Sequence, residues 1–243
     1  MSFPLSDAPR GTNRMVSSNT DYSEKGNVKT SKRMSRPCLA LEFAAIFVAL
    51  PSLYIPFRHM VHPIPVLWCV AAFSAYLLKH GGYFTRNRFW GKTPSGRQVL
   101  FVLGRFVALA VIIGLFTLLY EPGRFLDFPK TRPALWLVII LLYPLFSVVP
   151  QGIVYRAFIF NRYEELFGKG WAMIAASGIG FCYAHIFFLN PIAVVFSLVG
   201  GILFAHTYLR SASLWFSAVE HALYGDFIFT IGLGHYLYSG ALR

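Results

Sequence analysis

Apolar runs of about 20 residues follow one another along this chain from residue 39 onward. A helix of that length crosses about 30 Å of hydrocarbon, because each residue adds about 1.5 Å. In lipid, every backbone polar group must find its partner within the protein, and a helix satisfies this inside a single segment. The sequence therefore predicts an all-α fold, a polytopic membrane helix bundle with seven or eight transmembrane helices.

Seven of these runs are long enough for a complete span, at residues 39–57, 64–80, 98–120, 133–157, 170–189, 191–209 and 212–230. An eighth run, at 227–242, is interrupted by Gly232 and Gly234, so a position at the membrane interface is the alternative for it. Charged residues make up 13% of the chain, about half the share of a soluble domain. That is too little charge to cover a soluble globule, which excludes a soluble enzyme.

Residues 1–37 differ from the rest, because they are rich in Ser, Asn, Thr, Lys and Arg and contain few large apolar side chains. Such a segment cannot bury enough apolar surface to fold. It does not have the apolar core that is typical of a signal peptide. We predict a disordered basic cytoplasmic tail at 1–37 and a transmembrane domain at 38–243.

Basic residues are distributed unevenly between the predicted loops. With the tail inside, 15 of the 22 Lys and Arg residues lie in inner segments and 5 in outer ones, while Arg105 and Arg156 lie within spans. This asymmetry predicts an integral membrane protein with its N-terminus in the cytoplasm. The net charge of +12 then indicates membrane lipid as a partner, and no nucleic acid is expected.

Ionisable side chains within the predicted spans are functional candidates, because an unpaired charge in hydrocarbon costs several kcal/mol. The N-terminal half holds chiefly Glu42 and Arg105. Polar candidates are more frequent in the C-terminal half, where they are Gln151, Arg156, His185, His206, Glu220, His221, Asp226 and His235. Any chemistry is therefore expected within residues 145–230.

Three segments concentrate this polarity: Pro-Gln-Gly-Ile-Val-Tyr-Arg at 150–156, Phe-Cys-Tyr-Ala-His at 181–185 and Glu-His-Ala-Leu-Tyr-Gly-Asp at 220–226. Two histidines on different helices, together with a polar residue on a third, could polarise one water in a closed cavity, as intramembrane hydrolysis requires. Each segment alone also fits an ordinary structural role. The arginine can snorkel at a helix end, and each histidine can be a hydrogen-bonded core residue.

Other chemistries have weaker support in the sequence. His185 and His221 would be the ligands of any divalent metal, but no His-Glu-x-x-His spacing supports one, and no cofactor is predicted. A transporter that uses Arg156 and Asp226 as an ion path would be expected to show repeat symmetry, which is absent. The three cysteines have neither the number nor the spacing of a disulfide framework or a zinc ribbon.

In their order along the chain, the three segments resemble the motifs of the CPBP family, the intramembrane CAAX prenyl endopeptidases and bacteriocin-immunity proteins. That family carries Glu-Glu-x-x-x-Arg, Phe-x-x-x-His and His-x-x-x-Asn on three spans. Arg156, Phe181 with His185, and His221 match these motifs, and the resemblance covers about residues 140–226. It implies hydrolysis of a membrane-associated or lipidated peptide, in a bacterial inner membrane.

Three family positions depart from the pattern. The glutamates fall at Gln151 and Gly152, and the asparagine falls at Gly225. In the family, the first glutamate and the second-motif histidine, here His185, activate water, while the third-motif histidine, here His221, and the asparagine hold the oxyanion. Gln can orient a water but cannot accept its proton. We therefore expect a protease fold with impaired catalysis, and the alternative is a non-catalytic membrane scaffold or immunity-type protein.

Two acids remain as candidates to replace the missing base. Glu220 and Asp226 flank His221, and either could reach a cavity only if the helix is broken near Gly225. Otherwise they are expected to pair with Arg156 or a histidine, or to lie near the membrane interface. The resemblance also predicts that a glutamate at position 152 would neutralise Arg156 and restore some cleavage.

Overall fold

The structure, a computed structural model, describes residues 34–81, 91 and 93–237. Most of the predicted tail lies outside these residues and remains a prediction. The described part of the chain is helical and contains no strand, which confirms the all-α class. Its long helices are α1 Arg36–Phe57, α2 Pro63–His80, α3 Gly96–Tyr120, α4 Pro133–Arg162, α5 Trp171–Tyr183, α6 Pro191–Ser211 and α7 Leu214–Ile231.

Six of these helices are long and apolar enough to cross a membrane, when α5 is counted with the helical turn Ile186–Phe188 that follows it. The exception is α7, which corresponds to the predicted seventh span and carries two carboxylates and a histidine. The predicted eighth span is wrong for its described residues, because only the short turn Gly234–Tyr236 forms there. Residues 238–242 of that run lie outside the described part.

Helix α4 is longer and less regular than the predicted span 133–157. It continues to Arg162 and contains two π-helical turns, Pro144–Val148 and Ile153–Phe158. Proline lacks an N–H group, so Pro144 and Pro150 both interrupt the regular ladder of hydrogen bonds. A π turn changes which side chains share a face, and such turns are frequent at functional sites. The second π turn contains Arg156.

Glycines bring α5 and α6 into close contact. A Cβ atom on Gly201 of α6 would lie only 3.0 Å from the Cα of Gly178 on α5. Small residues of this kind let the backbones of two membrane helices approach each other. Ser177 also donates a hydrogen bond of 2.7 Å to the backbone oxygen of Tyr155. These contacts fix α5 against both α4 and α6, and thereby position His185 at its end.

The helices differ sharply in how much of their surface the protein covers. Ten of the 18 residues of α7 are buried, whereas only Val102 and Thr117 are buried among the 25 residues of α3. Large exposed apolar side chains follow α3 on several faces, among them Leu100, Val111 and Leu119. This is the arrangement expected when α7 lies at the centre of the bundle and α3 faces lipid.

Candidate active site

The ring of Phe181 is the point where the three sequence motifs meet. His185 lies 4.5 Å from it and His221 5.4 Å from it, measured between ring centroids. The guanidinium carbon of Arg156 lies 4.6 Å from the same ring. These residues come from α4, α7 and the C-terminal end of α5, so the structure brings the motif residues into one place.

A cavity of about 820 Å³ opens beside this cluster. Its wall is mostly apolar, and its polar side chains include Tyr143, Ser147, Gln151, His185 and His221. The three motif-bearing helices α4, α5 and α7 border this cavity. Helices α1, α2, α3 and α6 also contribute to the wall, and apolar side chains dominate it. No Asp, Glu, Lys or Arg lines it among the described residues.

Gln151 faces this cavity, whereas its neighbour Gly152 does not belong to the cavity wall. The amide nitrogen of Gln151 donates a hydrogen bond of 2.8 Å to the Ser147 hydroxyl, and its amide oxygen is buried without a partner. The buried Gly152 packs against α7 instead. A Cβ atom there would lie 3.1 Å from the Cδ1 of Leu214, so this leucine occupies the space a side chain at 152 would enter.

Arg156 lies behind the cavity wall with 1% of its surface exposed. Its Nη1 donates a hydrogen bond of 3.5 Å to the backbone oxygen of Gln151, and its guanidinium lies over the rings of Phe181 and Phe204. Its Nε and Nη2 atoms have no hydrogen-bond partner among the described residues. The prediction that Arg156 pairs with Glu220 or Asp226 is therefore wrong, and its charge is stabilised mainly by aromatic faces.

Glu220 forms a buried ion pair with Arg105 of α3. The Nε of Arg105 donates a hydrogen bond of 2.7 Å to the carboxylate, and its Nη2 also bonds to Glu220 and Thr207. Glu220 is fully buried and turned away from the cavity. The sequence had singled out both residues as costly in lipid, but it gave no reason to pair helices so far apart along the chain.

Asp226 is also absent from the cavity wall. It lies five residues after His221 on the continuous helix α7, and its Oδ1 is buried without a hydrogen-bond partner. The helix is not broken near Gly225, so the condition for either acid to replace the missing base is not met.

The two histidines are held by different partners. Nδ1 of His185 donates a hydrogen bond of 2.7 Å to the backbone oxygen of Phe181, since a carbonyl can only accept. In neutral imidazole this leaves Nε2 of His185 with a free lone pair. His221 stacks on Phe204 at 4.5 Å between ring centroids, and its Nε2 lies 3.2 Å from the hydroxyl of Tyr143.

Comparison with known protein families gives one match. Residues 133–225 match the family described as type II CAAX prenyl endopeptidase, Rce1-like. Over this segment, the chain is similar to the CAAX-type proteases of the CPBP family. The matched segment begins with α4 and ends in α7, so it contains all three motifs. The chain is an integral membrane protein, with six helices long and apolar enough to cross a membrane among its described residues. No curated protein and no solved structure matches it.

The asparagine position of the family is occupied here by Gly225, and the structure shows what fills the space. A Cβ atom on Gly225 would lie 2.6 Å from the Cζ of Tyr143. The tyrosine ring therefore occupies the volume in which a side chain at 225 would begin. Nothing in the sequence signals this exchange, because Tyr143 precedes the first family motif and resembles any other aromatic residue of a span.

The remaining polar residues of the spans lie away from the site. His206 packs against Trp171 and Phe101. His235 belongs to a separate group near the end of α3, where Glu121 accepts a hydrogen bond from Tyr236 and thereby raises the pKa of that hydroxyl. Among the described residues, no three His, Cys, Asp or Glu side chains gather closely enough to hold a metal ion.

Proposed function

We propose that this chain binds a membrane-associated peptide in a CAAX-protease site and hydrolyses it poorly. The observation that supports this most directly is the cavity wall, which contains both family histidines but no carboxylate among the described residues. Peptide hydrolysis needs a group that accepts a proton from the attacking water. The family supplies a glutamate for this step, and the amide of Gln151 cannot replace it.

His185 is the remaining group that can accept a proton. Its Nε2 carries the free lone pair, because Nδ1 is engaged by the backbone of Phe181. No carboxylate of the described residues lines the cavity beside an imidazolium formed there, and an isolated charge in an apolar site is costly. This chemistry supports orientation of a water and slow hydrolysis at best.

The cavity is suited to a peptide that carries an apolar chain. Its volume of about 820 Å³ falls in the usual range for small-molecule sites, and its wall offers a few polar groups within an apolar surface. The family description names prenyl endopeptidases, so a prenylated peptide is the substrate class we propose. The apolar chain would occupy the hydrophobic wall, and the peptide would lie toward the two histidines.

A non-catalytic role on the same fold is the second candidate. It is favoured by the packing of Leu214 against Gly152, because a Cβ atom at the second glutamate position would lie 3.1 Å from the Cδ1 of this leucine. In this alternative, a scaffold or immunity-type protein would retain the fold and would not need the cavity. Binding of a prenylated peptide separates the two candidates.

The test uses the purified full chain in detergent micelles and a fluorescent farnesylated tetrapeptide. We expect saturable binding without product detectable by mass spectrometry over hours. The same peptide without its farnesyl group should bind at least about tenfold more weakly, since each buried CH₂ group contributes about 0.8 kcal/mol. Absence of saturable binding would support the scaffold, and rapid cleavage would refute the impaired enzyme.

Orientation is part of the same proposal. The uneven distribution of basic residues favours a cytoplasmic N-terminus, and the resemblance favours a bacterial inner membrane. In a cysteine-free background, a Thr20→Cys variant should react with an impermeant maleimide only after the cells are permeabilised. Labelling of intact cells would reverse the assigned orientation.

A further inference from the structure

Tyr143 reaches the site from α4, two helical turns before Gln151. Its ring packs edge-on against His221 and against Phe229, and its hydroxyl lies 3.2 Å from Nε2 of His221. Tyr143 also belongs to the cavity wall. Its hydroxyl is thus a polar group at the surface a bound peptide would contact, although it lies outside the three family motifs.

Tyr143 can take this position because residue 225 is a glycine. With any side chain at 225, the Cβ atom would lie within 2.6 Å of the Cζ and the hydroxyl oxygen of Tyr143. The loss of a side chain on α7 and the presence of a large one on α4 are therefore coupled. The position where the family has an amide donor is here occupied by a phenol.

We propose that the Tyr143 hydroxyl donates a hydrogen bond to the carbonyl oxygen of a peptide bound in the cavity, and that Nε2–H of His221 holds the tyrosine oxygen. This inference rests on the proposed function, because it concerns the same site. Tyr143 acts as a binding residue. No proton leaves it, so the role requires no base.

The direction of the contact between Tyr143 and His221 decides this inference. If Nε2 carries the proton, it donates to the tyrosine oxygen and leaves the phenol O–H free to donate to a ligand. If Nε2 carries no proton, the phenol O–H donates its hydrogen bond to the histidine and is not available to a ligand. The other nitrogen of His221, Nδ1, is buried without a hydrogen-bond partner.

The surroundings favour the first arrangement. Arg156 lies over the rings of Phe181 and Phe204, and His221 packs against the same two rings. A lone pair on Nδ1 is attracted by the nearby guanidinium charge, whereas an N–H group there would be repelled by it. A buried N–H without an acceptor is also rarely tolerated in proteins. Both effects place the proton on Nε2.

A tyrosine outside the cavity wall supplies the control for this contact. The hydroxyl of Tyr183 is bonded to Ser52 and lies outside the cavity wall. Tyr183 therefore provides a matched control, since Tyr183→Phe removes the same atom from a tyrosine that cannot contact the ligand.

The first experiment reads the tautomer without any ligand. The full chain is labelled with 15N-histidine, and the His221 signals are assigned by their loss in the His221→Gln variant. We expect a protonated Nε2 and a bare Nδ1, with a shift of the Nε2 signal in Tyr143→Phe and none in Tyr183→Phe. A bare Nε2 would overturn the inference, whatever the binding measurements show.

The second experiment compares two probes, a farnesylated tetrapeptide and its E-alkene isostere, which lacks the carbonyl after the farnesylated cysteine. Tyr143→Phe should weaken binding of the amide probe by about five- to tenfold and leave the isostere unchanged. The double variant Tyr143→Ala/Gly225→Asn should recover part of the amide-specific affinity. Equal losses for both probes would refute a carbonyl contact. If the unmodified chain binds neither probe, the proposed function fails, and the tautomer still decides between the two directions of the contact.

Discussion

Helix α7 presents opposite electrostatic environments on two of its sides. The side with His221 and Gly225 borders an uncharged, mostly apolar cavity, whereas Glu220 is turned toward α3 and pairs with Arg105. Glu220 and His221 are adjacent residues on one helix, and their side chains point about 100° apart around its axis. The difference shows that a carboxylate next to a family histidine in sequence can form an ion pair on another side of the helix and take no part in the site.

The largest change in the free energy of unfolding should come from removing one partner of the Arg105–Glu220 ion pair. Arg105→Met leaves Glu220 buried without its partner, which costs about 3–5 kcal/mol in comparable pairs. The double variant Arg105→Met/Glu220→Leu removes both charges and should lose much less. Chemical denaturation in mixed micelles measures the free energy of unfolding of the single and of the double variant. A single variant as stable as the unmodified chain would show that the ion pair contributes little.

The second effect concerns Arg156, whose charge has no acid partner in the part of the chain that the structure describes. Its guanidinium donates a hydrogen bond to the backbone oxygen of Gln151. A glutamate side chain at 152 would start from the next residue of the backbone, close to this guanidinium. In a Leu214→Ala background that makes room, Gly152→Glu should be about 2 kcal/mol more stable than Gly152→Gln, because a charged hydrogen bond replaces an unsatisfied donor.

The control for this prediction is the same pair of variants with Arg156→Met. There the advantage of glutamate over glutamine should vanish or reverse. An equal advantage with and without the arginine would mean that the carboxylate finds another partner.

The third effect tests the crowded contact on the cavity side. Gly225→Ala places a methyl group against the ring of Tyr143 and should cost about 1–3 kcal/mol by overpacking. Gly104→Ala is the matched control, because nothing lies within 4 Å of that Cβ position on α3, and it should be neutral or stabilising by up to about 1 kcal/mol. Equal melting temperatures for the two variants would argue against the packing of Tyr143 seen here.

Much of the helical architecture could be predicted from the sequence, because apolar runs and helix starts are local signals. The span expected at 191–209 is the helix Pro191–Ser211, which begins after Asn190, whose side chain accepts a hydrogen bond from the backbone of Ala193. The end of α4 was missed. Its last turn is tied by Arg162 to Glu42 of α1, a contact between segments 120 residues apart.

The site was predictable in its location but not in its contacts. Arg156, His185 and His221 lie around the ring of Phe181, although Arg156 lies behind the cavity wall. The pairing of Glu220 with Arg105 could not be predicted, since sequence patterns do not say which helices become neighbours. Nor could the sequence show that position 151, not 152, faces the cavity, because π turns in α4 change the relation between spacing and direction.

Among the described residues, the cavity wall contains no carboxylate, and a carboxylate added there should permit cleavage. The most direct measurement is cleavage of the farnesylated tetrapeptide, followed by mass spectrometry, with Gln151→Glu, Gly152→Glu and Gln151→Glu/His185→Ala. Gln151→Glu should yield product, because its side chain faces the cavity with His185, and the added His185→Ala should abolish it. Gly152→Glu should yield none, since that position faces Leu214. If Gln151→Glu is folded, binds the peptide and produces no His185-dependent cleavage, the account of a protease site without its base is contradicted.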